Sequence, residues 1–114
     1  MTKKKRQPTS VNVMGIPFTV LYQSSVVDPD DKDKEELSGL TTGAQRLIQI
    51  STSVNTTNEL IEATLLHETI HAILYVSGMS EMIQACDPTE DDKLEEGIVV
   101  ALENGISQIY KRNY

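Results

Sequence analysis

The chain contains two histidines, His67 and His71, which stand four residues apart with Glu68 directly after the first. On a helix that spacing brings both imidazoles out on one face about one turn apart, so both can reach a single Zn²⁺ at roughly 2.0 to 2.1 Å. Glu68, turned about 100° round the helix from His67, is poorly placed to ligate but can touch a water on the metal. A zinc ion so held polarises a carbonyl and brings the pKa of water down toward about 7, while Glu68 takes the proton and passes it to a leaving amine. The run His67-Glu68-Thr69-Ile70-His71 therefore points to metal-assisted amide hydrolysis, with the histidines as ligands and Glu68 as general base.

A catalytic zinc site takes three protein ligands and leaves a further position open. With no third histidine, and with a lone Cys86 that makes no ligand set by itself, the third ligand is expected to be a carboxylate. Glu95 and Glu96 precede an apolar series of Ile98, Val99, Leu102, Ile106 and Ile109. Placed at about 100° intervals, the apolar side of such a helix centres near Leu102 and Ile106; Glu95 projects onto that side and Glu96 toward its edge beside Glu103. A carboxylate on an apolar face is disfavoured unless it is paired or bound to metal, so Glu95 is the expected third ligand and Glu96 the alternative. Tyr75, one turn past His71, and Tyr110, near the end of the second helix, could stabilise an oxyanion, although a tyrosine at such places is ordinarily packing with a wet hydroxyl. Cys86 is expected to be a small buried or half-buried side chain, and as a single cysteine it excludes an intramolecular disulfide.

These residues need a frame. Thr56-Thr57-Asn58-Glu59 has the Thr-x-x-Glu form of a capping box, and it opens a run over 60–76 free of Gly and Pro, with Ser77-Gly78 as the stop. One long helix carrying the two histidines is expected there. A second is expected from Asp87-Pro88-Thr89-Glu90, where Asp87 can cap and Pro88 suits the first turn, to about Lys111. Ahead of them, residues 11–22 are rich in β-branched and aromatic side chains and are broken by Gly15 and Pro17, which reads as one or two strands around a bend. Arg46-Leu47-Ile48-Gln49-Ile50 alternates, with Arg46, Ile48 and Ile50 on one face, and is expected as an edge strand just before the motif helix. The polar run over 28–36 reads as an exposed loop; it lacks the spacing, central Gly and final Glu of a calcium-binding loop.

Composition bounds the rest. The 114 residues, 39% hydrophobic and 24% charged, fit one compact domain over 11–114 preceded by a basic, disordered tail over 1–10. A formal charge of −7 argues against general affinity for nucleic acid or anionic membranes, and the tail segment Lys3-Lys4-Lys5-Arg6 lacks accompanying stacking aromatics or a reading helix. No apolar stretch reaches the roughly 18 to 20 residues of a membrane span and no secretory h-region follows the basic start, so a cytoplasmic location is expected.

The stretch Arg46-Leu47-Ile48-Gln49-Ile50, then Thr64 to Leu74 with the His-Glu-Thr-Ile-His motif, then Glu95-Glu96-Gly97-Ile98-Val99 and Asn104-Gly105-Ile106, resembles small phage and prophage metallopeptidase-like proteins related in pattern to the ImmA/IrrE metallo-endopeptidases. The likeness covers roughly residues 11–111, with the metal motif and the Glu-containing helix its specific parts. It implies an α+β, gluzincin-like minimal zincin fold: a small antiparallel sheet of about three strands followed by two long helices. It also implies zinc on His67, His71 and one of Glu95 or Glu96, with Glu68 as base and a peptide or protein as substrate. The chain is shorter than the repressor-cutting members, and no DNA-binding domain is expected in it. The alternative is a non-hydrolytic, zinc-binding phage or prophage protein that binds or regulates a protein partner, since a fold can keep its site without turnover.

Overall fold

The computed structural model describes residues 7–86 and 93–113, the last four of these by backbone alone. It is an α+β arrangement in which a four-stranded sheet is covered on one face by a helix, against which two further helices pack. Strands β1 (Ser10–Val13) and β2 (Ile16–Gln23) form a hairpin whose two linking residues, Met14 and Gly15, both have positive φ, 51° and 86°. This left-handed pair suits the twist of a two-residue hairpin, and the Asn12 side chain accepts from Gly15 N at 2.8 Å. Pro17 lies before the part of β2 that pairs with β4, which starts at Thr19, so its missing N–H interrupts no pairing there.

Strand β3 (Gly39–Thr42) leads through a 3-10 turn (Gly43–Gln45) and Arg46, in the left-handed region, into β4 (Leu47–Ser51). The short connection makes β3 and β4 antiparallel, whereas β2 and β4 run parallel and the order is β1-β2-β4-β3. The sheet is thus mixed and four-stranded, not antiparallel and three-stranded. The segment over 24–38 carries the chain from β2 past the β4 position, so β4 fills the gap between β2 and β3. The strand expected at an edge is therefore an inner one, and β3 is the outer strand beside the helices. Arg46 does not continue the strand; it caps the turn before it.

Alternation places Phe18 and Val20 of β2 and Ile48 and Ile50 of β4 on one face, at most 2% exposed. With Val13 they pack against Ile61 and Ala72 of α1 (Asn58–Val76). Helix α1 carries two apolar stripes. Ile61, Leu65, Ala72 and Val76 face the sheet, while Leu66, Ile70 and Leu74 meet Ile83 of α2 (Met79–Cys86) and Val99 of α3 (Lys93–Asn113). The cap of α1 is Thr57, whose side chain accepts from Leu60 N at 3.2 Å, so the capping threonine is the second of the pair and Glu59 falls in the first turn. At the other end Gly78, φ 80°, ends the helix and α2 starts at once; nothing in the sequence had marked this short helix.

Cys86, at the end of α2, is exposed, not buried or half-buried as expected. The 87–90 cap and the Lys3-Lys4-Lys5-Arg6 segment lie outside the described residues. The chain is ordered into the sheet from earlier than residue 11: Ser10 is in β1, the Thr9 carbonyl accepts from Val20 N at 2.9 Å, and the Pro8 carbonyl accepts from the Tyr22 hydroxyl at 2.6 Å. Among the described residues no helix is long and apolar enough to cross a membrane.

Candidate metal centre

His67 and His71 emerge from α1 between its two apolar stripes, and their side chains are only 20% and 18% exposed there. Glu68 is different. It stands on the sheet-facing stripe, seven residues after Ile61 and four before Ala72, and is only 6% exposed. Outer strand β3 accommodates it: the Thr41 hydroxyl is shared between the Glu68 carboxylate, 2.8 Å from Oε1, and the Glu68 carbonyl, at 2.9 Å. Burial raises the Glu68 pKa above the ordinary carboxylate range, against the opposing pull of the Thr41 hydrogen bond and the two imidazoles.

Close approach of β3 to α1 depends on glycine. A methyl group at Gly39 would sit 2.8 Å from Thr64 Cγ2 and 2.9 Å from Glu68 Cγ, with the Gln49 carbonyl 3.2 Å away. Gly39→Ala is expected to destabilise the fold by about 1–3 kcal/mol through overpacking and to move Glu68, measured as a lowered midpoint in chemical denaturation. A midpoint equal to wild type would mean that β3 can slide off α1 freely. Gly43, just past β3, supports the ring of Tyr75 in the same manner.

Helix α3 brings the acids. Glu96 spans the two histidines, with Oε1 2.7 Å from His67 Nε2 and Oε2 3.0 Å from His71 Nε2. The other ring nitrogens are also engaged: His67 Nδ1 lies 2.7 Å from Glu103 Oε2 and His71 Nδ1 lies 2.9 Å from Glu95 Oε2. The imidazoles meet edge to face, centroids 5.1 Å apart. Burial acts to lower the His67 pKa, but the Glu103 hydrogen bond and the charges of Glu68, Glu96 and Glu103 outweigh it, so the net shift is upward.

His67, His71 and Glu96 can each offer one ligand atom within 4.8 Å of the others, and they form a candidate metal-binding group. The donor set fits a divalent cation on chemical grounds. Two imidazole nitrogens and a carboxylate converge, and a carboxylate behind each ring is the arrangement that orients metal-bound histidines. Glu95, ranked first by its helix face, lies behind His71 instead of beside both Nε2 atoms. Glu95 is the more buried of the two acids, 18% exposed against 51% for Glu96, as its helix face predicts; but the side of α3 that meets α1 runs through fully buried Val99 and not through Leu102, which is 45% exposed, so the two acids lie on either flank. Glu95 Oε1 is closed to solvent and has no hydrogen-bond partner among the described residues.

The group opens into a cavity of about 550 Å³ lined by β3, α1, α2 and the start of α3, including Thr41, Glu68, Tyr75, Ser80 and Gln84. A smaller one of about 250 Å³, lined by Leu60, Ala63, Thr64 and Glu103, shares Ser38, His67 and Glu96 with the first. Tyr75 is at the cavity wall and half exposed; the side chain of Tyr110 lies outside what the structure describes. Thr41, Glu103 and the α2 residues were not anticipated. Glu103 alone had a readable signal, since it follows Glu96 by seven residues on one helix and so shares its face. No family model, no curated protein and no solved structure matches the chain.

Proposed function

We propose that this protein is a zinc-dependent metallopeptidase, a reading in keeping with the resemblance of its motif region to ImmA/IrrE-type enzymes. The observation that carries it is the convergence of both Nε2 atoms on the Glu96 carboxylate with the Glu68 carboxylate buried beside them, at the wall of an open cavity. His67, His71 and Glu96 would hold the ion, and imidazole and carboxylate donors suit zinc. When bound, zinc supplies Lewis acidity toward a carbonyl and toward water.

The chain's own residues do the rest. Glu68 accepts a proton from the attacking water and returns it to the leaving amine, with Thr41 fixing the orientation of its carboxylate. Strand β3, outermost among the described strands, offers its free edge to an extended peptide, which would lie across the group from one cavity to the other. Among the described residues, the cavity beside the group is lined by Glu68, Glu95 and Glu96 without a Lys or Arg, which favours neutral or basic segments.

The test is metal analysis of freshly purified protein beside His67→Ala, followed by incubation with a peptide library with and without chelator. About one zinc per chain, lost in the variant, and cleavage abolished by chelator and restored by zinc are expected. A protein that neither contains zinc nor takes it up would overturn the reading at its first step; a zinc protein that cleaves nothing would overturn the peptidase assignment alone.

A further inference from the structure

Helix α3 turns Glu96, Val99 and Glu103 toward α1, spaced by three and four residues so that they share one face. Val99 is fully buried between the two acids, which fixes the rotation of the helix against α1. Glu96 meets both Nε2 atoms; Glu103, two turns further on, brings its Oε2 to His67 Nδ1 at 2.7 Å, with both side chains about one-fifth exposed. His67 therefore has a carboxylate at each ring nitrogen, and only one of them belongs to the group that could hold a metal.

We infer that Glu103 is a positioning residue, which accepts the Nδ1–H of His67 and so commits the ring to the tautomer and orientation that present Nε2 as the ligand. The inference rests on the metal-binding part of the proposed function and not on peptide hydrolysis. A neutral imidazole carries one N–H, and with no acceptor at Nδ1 either nitrogen can take it. The last torsion of histidine is broad and roughly two-fold, so nothing intrinsic to the side chain decides which ring nitrogen it presents. A carboxylate behind the ring removes both freedoms and makes Nε2 a better donor. Glu95 stands in the same relation to His71, at 2.9 Å. Glu103 gives the cleaner test because it is seven residues from Glu96, whereas Glu95 is its neighbour.

The experiment measures zinc affinity by competition with a chromophoric chelator for wild type, Glu103→Gln and Glu103→Ala. Thermal unfolding of the metal-free proteins and the ¹⁵N signature of His67 in the zinc-loaded proteins are recorded alongside. Glu103→Ala is expected to bind zinc about 10–100-fold more weakly, and Glu103→Gln less so, because its amide oxygen can still accept from Nδ1–H. Metal-free unfolding should be unchanged, and His67 should lose its single Nε2-bound tautomer in the alanine variant. Affinities of both variants within about twofold of wild type, well inside the range for an outer partner, would overturn the assignment. So would a weaker affinity matched by a lower metal-free unfolding temperature with the tautomer intact, since that is a merely structural role. Wild type that takes up no zinc is a different result and removes the metal reading itself.

Discussion

Glu68→Gln is expected to leave zinc uptake at the wild-type level and to reduce peptide hydrolysis by about 10²–10⁴-fold, the contribution of a positioned general base. Glutamine keeps the volume and an oxygen that can accept from the Thr41 hydroxyl, so the packing of β3 on α1 survives, but it cannot take a proton from water. Burial supplies a second readout. The Glu68 pKa is raised in the fold, so the stability tied to its protonated form is fully present below the ordinary Glu range and is lost as pH rises through the shifted value. At neutral pH the neutral amide avoids the desolvated charge, and the metal-free variant should unfold at a temperature no lower than wild type. Loss of turnover with intact zinc and intact stability assigns the base. A wild type that cleaves no library peptide, together with a Glu68→Gln variant that binds a protein partner as wild type does, would favour a non-hydrolytic binding protein, because a purely recognitive site has no use for the acid.

The parts of this site that were legible in the sequence are those set within one helix. The four-residue spacing of His67 and His71 fixes their common face whatever surrounds the helix, and Ser77-Gly78 marks its end by chain geometry alone. Strand alternation was legible for the same reason: Ile48 and Ile50 reach the core because a strand has period two. What failed depended on how elements meet. The β4 segment reads identically whether it is an inner or an edge strand, and only the long segment over 24–38 decides that it slots between β2 and β3. Thr41 carries no signal, since its bond to Glu68 follows from the register of β3 against a helix 27 residues on. Helix α2 was hidden because Gly78 reads as the end of helical structure, when it only redirects the chain. Glu95 ranks above Glu96 when every apolar residue of α3 counts alike, because Leu102 and Ile109, both exposed, pull the face away from Val99.

That last point carries a ranking that zinc binding can decide. Glu96→Ala is expected to weaken zinc affinity by more than Glu95→Ala, because the Glu96 carboxylate reaches both Nε2 atoms while Glu95 touches only the far nitrogen of His71. Loss of an outer partner costs about 10–100-fold in affinity, and the Glu95 variant should fall in that range; loss of a ligand from a three-ligand site should exceed it. The two variants also part in the metal-free state. Glu95 Oε1 is buried without a donor among the described residues, an unfavourable arrangement that alanine removes along with the His71 bond, whereas Glu96 is half exposed and its removal disturbs little packing. Competition titrations on both variants, beside their metal-free unfolding temperatures, separate affinity from stability. Should Glu95→Ala prove the weaker zinc binder, the carboxylates would exchange roles on metal binding, and α3 would have to rotate about Val99 to bring Glu95 over both histidines.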